Sequence, residues 1–406
     1  MVIGKSLRPR AQNQWLRPSV RALVLGATLV SACGNTASDA ATLRVPTLEY
    51  PHIAGAIDAA ASGDTIVVEP GTYTGANNRN LGFESKELVV RSEAGPELTI
   101  LDVQGSAANP GRGFLIDGGQ TEATVVDGFT IINGWMSTEE SLVGSAKVDD
   151  LHDLSAGGLK VNSLSSPIVR NMIIRQCHSE YTGGGISVEV LSSPTIQDCL
   201  IVDCSAGIQG GGVSIETGST PIVERCVITG NRAPDAGGIA CHSEASGAER
   251  FILRSCTIAG NRATRGGGAM FMAFSETTVE QTIIYGNCSD GSDGILVEPL
   301  ATADFACSLV DTSNTVIDPR ASVSYDENSI LDQAPQFCEP EDCQNAPNDL
   351  GDYGLKDVSP CVATNSPCGR RIGAYGLGIC ALPPATVRGS WGSIKARFQA
   401  DPSRRE

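Results

Sequence analysis

Positive charge is scarce in this chain. Its 406 residues hold 29 Lys and Arg against 46 Asp and Glu, a formal net charge of −17. Residues 1–32 carry five of the positive charges (Lys5, Arg8, Arg10, Arg17, Arg21) and no negative ones, so the remainder stands at −22. A nucleic-acid partner needs a basic footprint and is excluded. A bare polyanionic substrate is disfavoured unless a divalent cation bridges, so no cofactor is implied and calcium alone is left open. Aromatics make up only 5%, few for a groove that stacks sugars. The C-terminal cysteines (Cys338, Cys343, Cys361, Cys368, Cys380) have no histidine among them and there is no CxxC, so no metal site is expected. Past the short apolar run of residues 22–30 (ALVLGATLV), no segment is fit to cross a bilayer as a helix. Neither a Ser, Cys or Thr nucleophile arrangement nor a phosphate-binding Gly loop is evident.

A repeat is what the sequence does contain. In residues 157–294 a Gly opens each line at Gly158, Gly185, Gly212, Gly238, Gly268 and Gly294, with spacings of 27, 27, 26, 30 and 26. A short alternating run follows: Leu159/Val161, Ile186/Val188, Val213/Ile215, Ile239/Cys241, Ala269/Phe271, Ile295/Val297. A polar turn leads to a second apolar run through Ile174, Ile201, Ile228, Ile258 and Ile284, then to Cys177, Cys204, Asn231, Asn261 or Asn287. Alternation with β-branched residues, punctuated by Gly, Pro, Ser and Asn, reads as strands and turns. A near-fixed period of this length marks a solenoid. The expected fold is all-β: a parallel β-helix with each line one rung, about 4.8 Å from the next.

Equivalent residues stack into columns. The five isoleucines form an inward aliphatic column, the three asparagines a ladder at a turn, and the Gly pairs are expected to supply positive φ. Cys199, Cys226 and Cys256 stack as small core residues, with Cys307 extending the column past Thr282. Cys177 and Cys204 stack in another column, as a disulfide or as thiols, since ladder neighbours lie within disulfide range. The fourteen cysteines suit an oxidising, exported setting, and at least one disulfide is expected in the irregular C-terminal region.

The ends point to the cell envelope. After the basic segment and the apolar run comes Val30-Ser31-Ala32-Cys33, which resembles a bacterial lipobox. Residues 1–32 then read as a lipoprotein signal peptide and Cys33 as the lipidated residue, the chain being anchored to the membrane by lipid only. Gly34 in place of Asp leans, by that resemblance, towards the outer membrane or cell surface. Residues 33–47 would be a tether, 48–380 the β-helix domain, and 381–406 a tail. In the tail, Trp391, Ile394 and Phe398 share a helical face.

Ile53, Ile57 and Ala60 fall at helical spacing, a short cap over the first rung. The succession AIDAA, GDTIVV, PGTY (residues 56–73) and the SSPxIxxC lines resemble the right-handed parallel β-helix proteins of the pectin-lyase-like superfamily, from about residue 48 to 375. Residues 351–376, with SPC and IGAY, are similar to the closing segment of such proteins and are expected to cap the last rung.

One outward column is Asn162, Glu189, Glu216, His242, Met272 and Glu298. Glu189, Glu216 and His242 would lie on successive rungs, candidates for acid–base work, with Asn162 as a binding residue. The insertion 136–156, with His152 and Asp153, is expected to overhang this face as further binding residues. In the superfamily the corresponding face often carries the active site. Yet the Asp cluster with partner Arg of calcium-dependent pectate lyases is missing. So are the spaced Asp pairs of polygalacturonases and the DPHE-type motif of mannuronan epimerases. The function expected is therefore binding, adhesive or structural, with a polysaccharide or other cell-surface ligand. The alternative is a polysaccharide lyase, hydrolase or epimerase.

Overall fold

The computed structural model describes residues 40–137, 154–242, 249–291 and 294–377. Among these the chain winds as a coil of parallel strands. A middle rung runs Leu159–Val161, Ile168–Arg170, Ile173–Arg175 and His178–Ser179 before Ile186–Val188 begins the next. Stacking makes four ladders. The first sheet has eleven strands, from Thr42–Val45 to Ser322–Tyr325; the second has ten, from Gly71–Tyr73 to Ile330–Leu331. The third has nine, from Leu81–Gly82 to Thr315–Ile317, and the narrow fourth has six, from Trp135–Met136 to Cys288–Ser289.

The inward columns are as expected. Ile174 pairs with Ile201, then Ile228, Ile258 and Ile284, all buried. The asparagine ladder is continuous. Asn231 Nδ2 donates to Asn261 Oδ1 (3.0 Å) and Asn261 Nδ2 to Asn287 Oδ1 (2.9 Å). The same oxygens accept the backbone N–H of Asn231 and Asn261, and each amide also donates to a carbonyl one rung back. Nearly every polar atom of a buried turn is thus paired, as burial demands.

The Gly pairs have a different purpose from the one expected. Gly158, Gly185, Gly212 and Gly238 are not at positive φ; Gly183 (+63°) and Gly210 (+66°) are. A Cβ on Gly158 would sit 2.4 Å from the carbonyl oxygen of Gly185, and one on Gly185 2.7 Å from that of Gly212. These glycines are required by the closeness of stacked backbones, not by backbone dihedrals.

Ladder pairing also corrects the spacing. Ile239 pairs with Met270 and Cys241 with Met272, so this rung is one residue longer than the run of Gly266, Gly267 and Gly268 suggests. Met270 and Met272 point inward, and Phe271 points out beside Ala240 and Leu296. A similar slip removes Cys307 from the core column. Thr282 N donates to Ser308 Oγ, which continues the column, while Cys307 turns out at φ +49°.

The first strand, Thr42–Val45, precedes the cap helix Ile53–Ala59 and pairs with Thr65–Val68. Leu43 and Val45 are buried, so residues 42–45, expected within the tether, pair into the coil. The helix buries Ile53, Ala56 and Ile57, and Lys86 Nζ donates to the carbonyls of Ile57 and Asp58 (2.9 Å each) at its C-terminal end.

The closing segment does not cap the last rung. Residues 337–377 fold back along the outer face of the second sheet. There Tyr353, Leu355, Ile372 and Tyr375 cover the outward Val227, Ile283 and Leu309. Asn348 N donates to Gly230 O (3.0 Å), and Ala374 N to Thr257 Oγ1 (3.1 Å). Disulfides Cys288–Cys343 and Cys307–Cys368 fasten it, and Cys338 is also disulfide-bonded. The C-terminal region therefore holds disulfides as expected, but two of them reach back to the coil. Cys177, Cys199, Cys204, Cys226, Cys241, Cys256 and Cys361 are buried and take no part in these bridges.

Candidate functional site: the outer face of the third sheet

The outer face of the third sheet is a trough with a floor and two walls. Its floor is the outward column Lys160, Ser187, Ser214, Ala240, Phe271 and Leu296. One wall is the column Asn162, Glu189, Glu216, His242. Glu216 pairs with His242, and His242 with Ala273; Met272 does not belong to this column. The other wall is a ladder of single bridges, Thr182 to Gln209 to Asp235. Each rung spaces the walls seven residues apart: Thr182 and Glu189, Gln209 and Glu216, Asp235 and His242.

Glu189 is not solvated, as an outward position would suggest. Neither its side chain nor that of Lys160 exposes any surface (0%), and Lys160 Nζ lies 3.2 Å from Glu189 Oε2. Glu189 Oε1 accepts from Ser187 Oγ (2.6 Å) and from Ser155 Oγ. A buried carboxylate needs both a counter-charge and hydrogen bonds, and this one has them. Glu189 therefore braces the site rather than acting in it.

Glu216 differs. It is 8% exposed. Its Oε1 accepts from Ser214 Oγ (2.5 Å) and Gln209 Nε2 (3.3 Å), which fixes the rotamer. No described side chain donates to Oε2. One rung on is half-buried His242, whose ring lies 6.1 Å from that of Phe271, tilted by 31°. Phe271 packs on Ala240, Ala273 and Leu296. Beside the buried pair, this face thus carries a fixed, nearly buried carboxylate, a half-buried imidazole and a buried apolar ring. Chemically it can accept hydrogen bonds from hydroxyls and offer an apolar surface beside them.

Asn162 is half-buried, and its Oδ1 accepts the N–H of Ser163 (2.8 Å). The flank of the insertion does reach this face: Ser179 Oγ donates to Leu154 O (2.8 Å), and Ala156 N to Thr182 O (3.0 Å). His152 and Asp153 lie outside the described residues, as does Cys33. Among the described residues no cluster of His, Cys, Asp or Glu could hold a metal ion, and no helix is long and apolar enough to cross a membrane.

Sequence reasoning missed Lys160, Gln209 and Phe271. The seven-residue offset was readable for Gln209. Lys160, a lone cation in a column of serines, was the clue to the buried pair. Phe271 was hidden by the one-residue slip.

Comparison with known proteins addresses the fold. A family model described as a right handed beta helix region matches residues 105–249. The chain is accordingly a right-handed parallel β-helix. Among solved structures, the crystal structure of pectate lyase Pel9A is similar over 80% of this chain and 91% of that one, at 12% identity and a TM-score of 0.44. No curated protein matches the chain.

Proposed function

We propose that this chain is an exported, lipid-anchored protein of the bacterial envelope that binds a glycan in the trough of its third sheet. The observation that carries the binding reading is the divided carboxylate of Glu216. One oxygen is held by Ser214 and Gln209, and the other is left for a ligand beside His242 and Phe271. A sugar has both hydroxyl donors for such an acceptor and an apolar ring face for Phe271. Supporting the export reading are the basic and apolar segments before Val30-Ser31-Ala32-Cys33 and the disulfides, which suit an oxidising compartment.

The test is retention of the intact protein on a panel of neutral and uronate glycans, with and without calcium, read together with turnover. Glu216→Gln is expected to lose at least most of the retention. Retention equal to wild type on every glycan would remove the trough from consideration. Labelling by fatty acid that persists in Cys33→Ser would refute the anchor.

A second reading is a polysaccharide-active enzyme. It is favoured by one feature, the adjacency of Glu216 and His242 on neighbouring rungs, about 4.8 Å apart along the ladder. Turnover that disappears in both Glu216→Gln and His242→Gln would establish it.

A further inference from the structure

The outer face of the first sheet is used neither by the trough nor by the closing segment, which lies on the second sheet. Its middle column is β-branched and in unbroken register. Val125, Ile168, Thr195, Ile222 and Ile252 pair one after another, and all five are half-buried. Such a stripe is a packing surface rather than a polar exterior.

The next outward column, two residues further along each strand, is charged, and its signs are ordered about Gln197. One rung to either side stand Arg170 and Glu224. Two rungs away are Asp127 and Arg254, and three rungs away Arg91 and Glu280. At every distance from Gln197 the two residues are opposite in sign. A reversed copy of the column therefore sets each charge against its complement. The β-branched column is symmetric about Thr195 in the same way, with Ile168 opposite Ile222 and Val125 opposite Ile252. Some of these charges are already bonded within the chain: Arg170 Nε to Asp127 Oδ2 and Arg254 Nε to Glu280 Oε2 (2.8 Å each), and Arg225 Nη1 to Glu224 Oε1 (2.6 Å). The side chains of these pairs keep 18–42% of their surface exposed, so they remain open to a second set of charges.

We propose that two copies of this chain associate face to face through their first sheets, with coil axes antiparallel and a two-fold axis along the strand of Thr195 and Gln197. Arg170 of one copy meets Glu224 of the second, Asp127 meets Arg254, and Arg91 meets Glu280, each pair occurring twice beside the two β-branched stripes. The strands of the two sheets are then aligned, about 10 Å apart, as in other packed sheets. Two residues before the stripe the central rungs carry only Ser166, Ser193 and Thr220, small enough to let the faces approach. One like-charged meeting, Glu87 with Glu276 at the extremes, is relieved by Arg250, whose Nε lies 2.7 Å from Glu276 Oε2. Parallel coil axes would instead set Arg250 against Arg254 and Glu276 against Glu280, like charge on like.

The experiment is sedimentation velocity of the full-length protein over a wide range of concentration. Wild type is expected to form a reversible dimer. Arg170→Glu and Glu224→Arg each bring like charges together twice, and each should weaken the dimer at least about ten-fold. Mixed in equal amounts, the two variants should recover a dimer close to wild-type strength, because every pair in the mixed dimer is again of opposite sign. Neighbours within each chain are the same in the mixture as in the separate variants, so only contact between copies can produce that recovery. Melting temperatures report whether each variant folds; should one fail, Arg91→Glu with Glu280→Arg repeats the test on the edge rungs. A wild type that stays monomeric throughout would overturn the proposal. So would a dimer indifferent to both substitutions, or a mixture no tighter than the separate variants.

Discussion

Lys160 and Glu189 stand on neighbouring rungs of the third sheet, with Nζ 3.2 Å from Oε2 and both side chains wholly buried. The pair lies on the outside of the coil, under the flank of the insertion. Breaking it leaves one charge without its partner. Lys160→Met is expected to cost about 3–5 kcal/mol, and Lys160→Met/Glu189→Leu to recover much of that loss. The check is the urea midpoint. A single variant as stable as wild type would mean that water reaches Glu189.

The asparagine ladder gives a second expectation. Asn261→Ala removes the acceptor for Asn231 N and Asn231 Nδ2 and the donor to Ile228 O. Those groups stay buried, so the loss is about 1–3 kcal/mol for each group left without a partner. Asn287→Ala should cost less, since Asn287 accepts from Asn261 but heads no further asparagine. Chemical denaturation of the two variants ranks them.

Thiol chemistry should separate two sets of cysteines. Burial pushes Cys361 up to about 12 and Cys199, Cys204 and Cys256 well above the usual thiol range. None of the seven buried thiols outside the bridges should react with maleimide while the protein is folded. Reducing the disulfides should instead free residues 337–377 for protease cleavage, at a cost of about 2–4 kcal/mol per bridge. Mass mapping of labelled and cleaved peptides reads both. Fast labelling of Cys226 or Cys241 in the native state would contradict the packing.

His178 should make the fourth sheet acid-sensitive. Burial pushes its imidazole below the ordinary range, and Glu180 opposes that shift. Its ring lies 4.0 Å from that of Trp135, and Nδ1 is 2.8 Å from Ser205 Oγ. The folded state binds this proton less readily than the unfolded state. Its contribution is therefore fully present above the unfolded value of about 6.5 and is lost as pH falls through the lower folded value. Asp203, raised by burial and by Asp349, works in the opposite sense at lower pH. Melting temperatures from pH 7.5 to 5 should fall less in His178→Gln; an unchanged slope would exonerate the histidine.

Much of the coil was legible in the sequence because the inward columns repeat. Ile174 through Ile284 and Asn231 through Asn287 announce both period and turn. The outside was less legible. Alternation says which side of a strand a residue occupies, not what lies over that side, so Glu189 read as solvated. Runs such as Gly266–Gly268 leave the register undetermined by one residue. That slip sufficed to exchange Phe271 for Met272 on the outer face. The closing segment was recognisable, but its lateral course depends on the apolar Val227, Ile283 and Leu309, which a rung-by-rung reading took for ordinary strand residues.

The two mapped disulfides join positions 55 and 61 residues apart, and their loops overlap. A stacked array ordinarily frays from whichever terminus is weaker. Here the last coils are knotted to a strap that itself grips earlier ones at Thr257 and Gly230. Peeling from the C-terminal side is barred while the bridges hold. Pulled or heated, the molecule has one direction in which to unravel: from the seven-residue plug at its start.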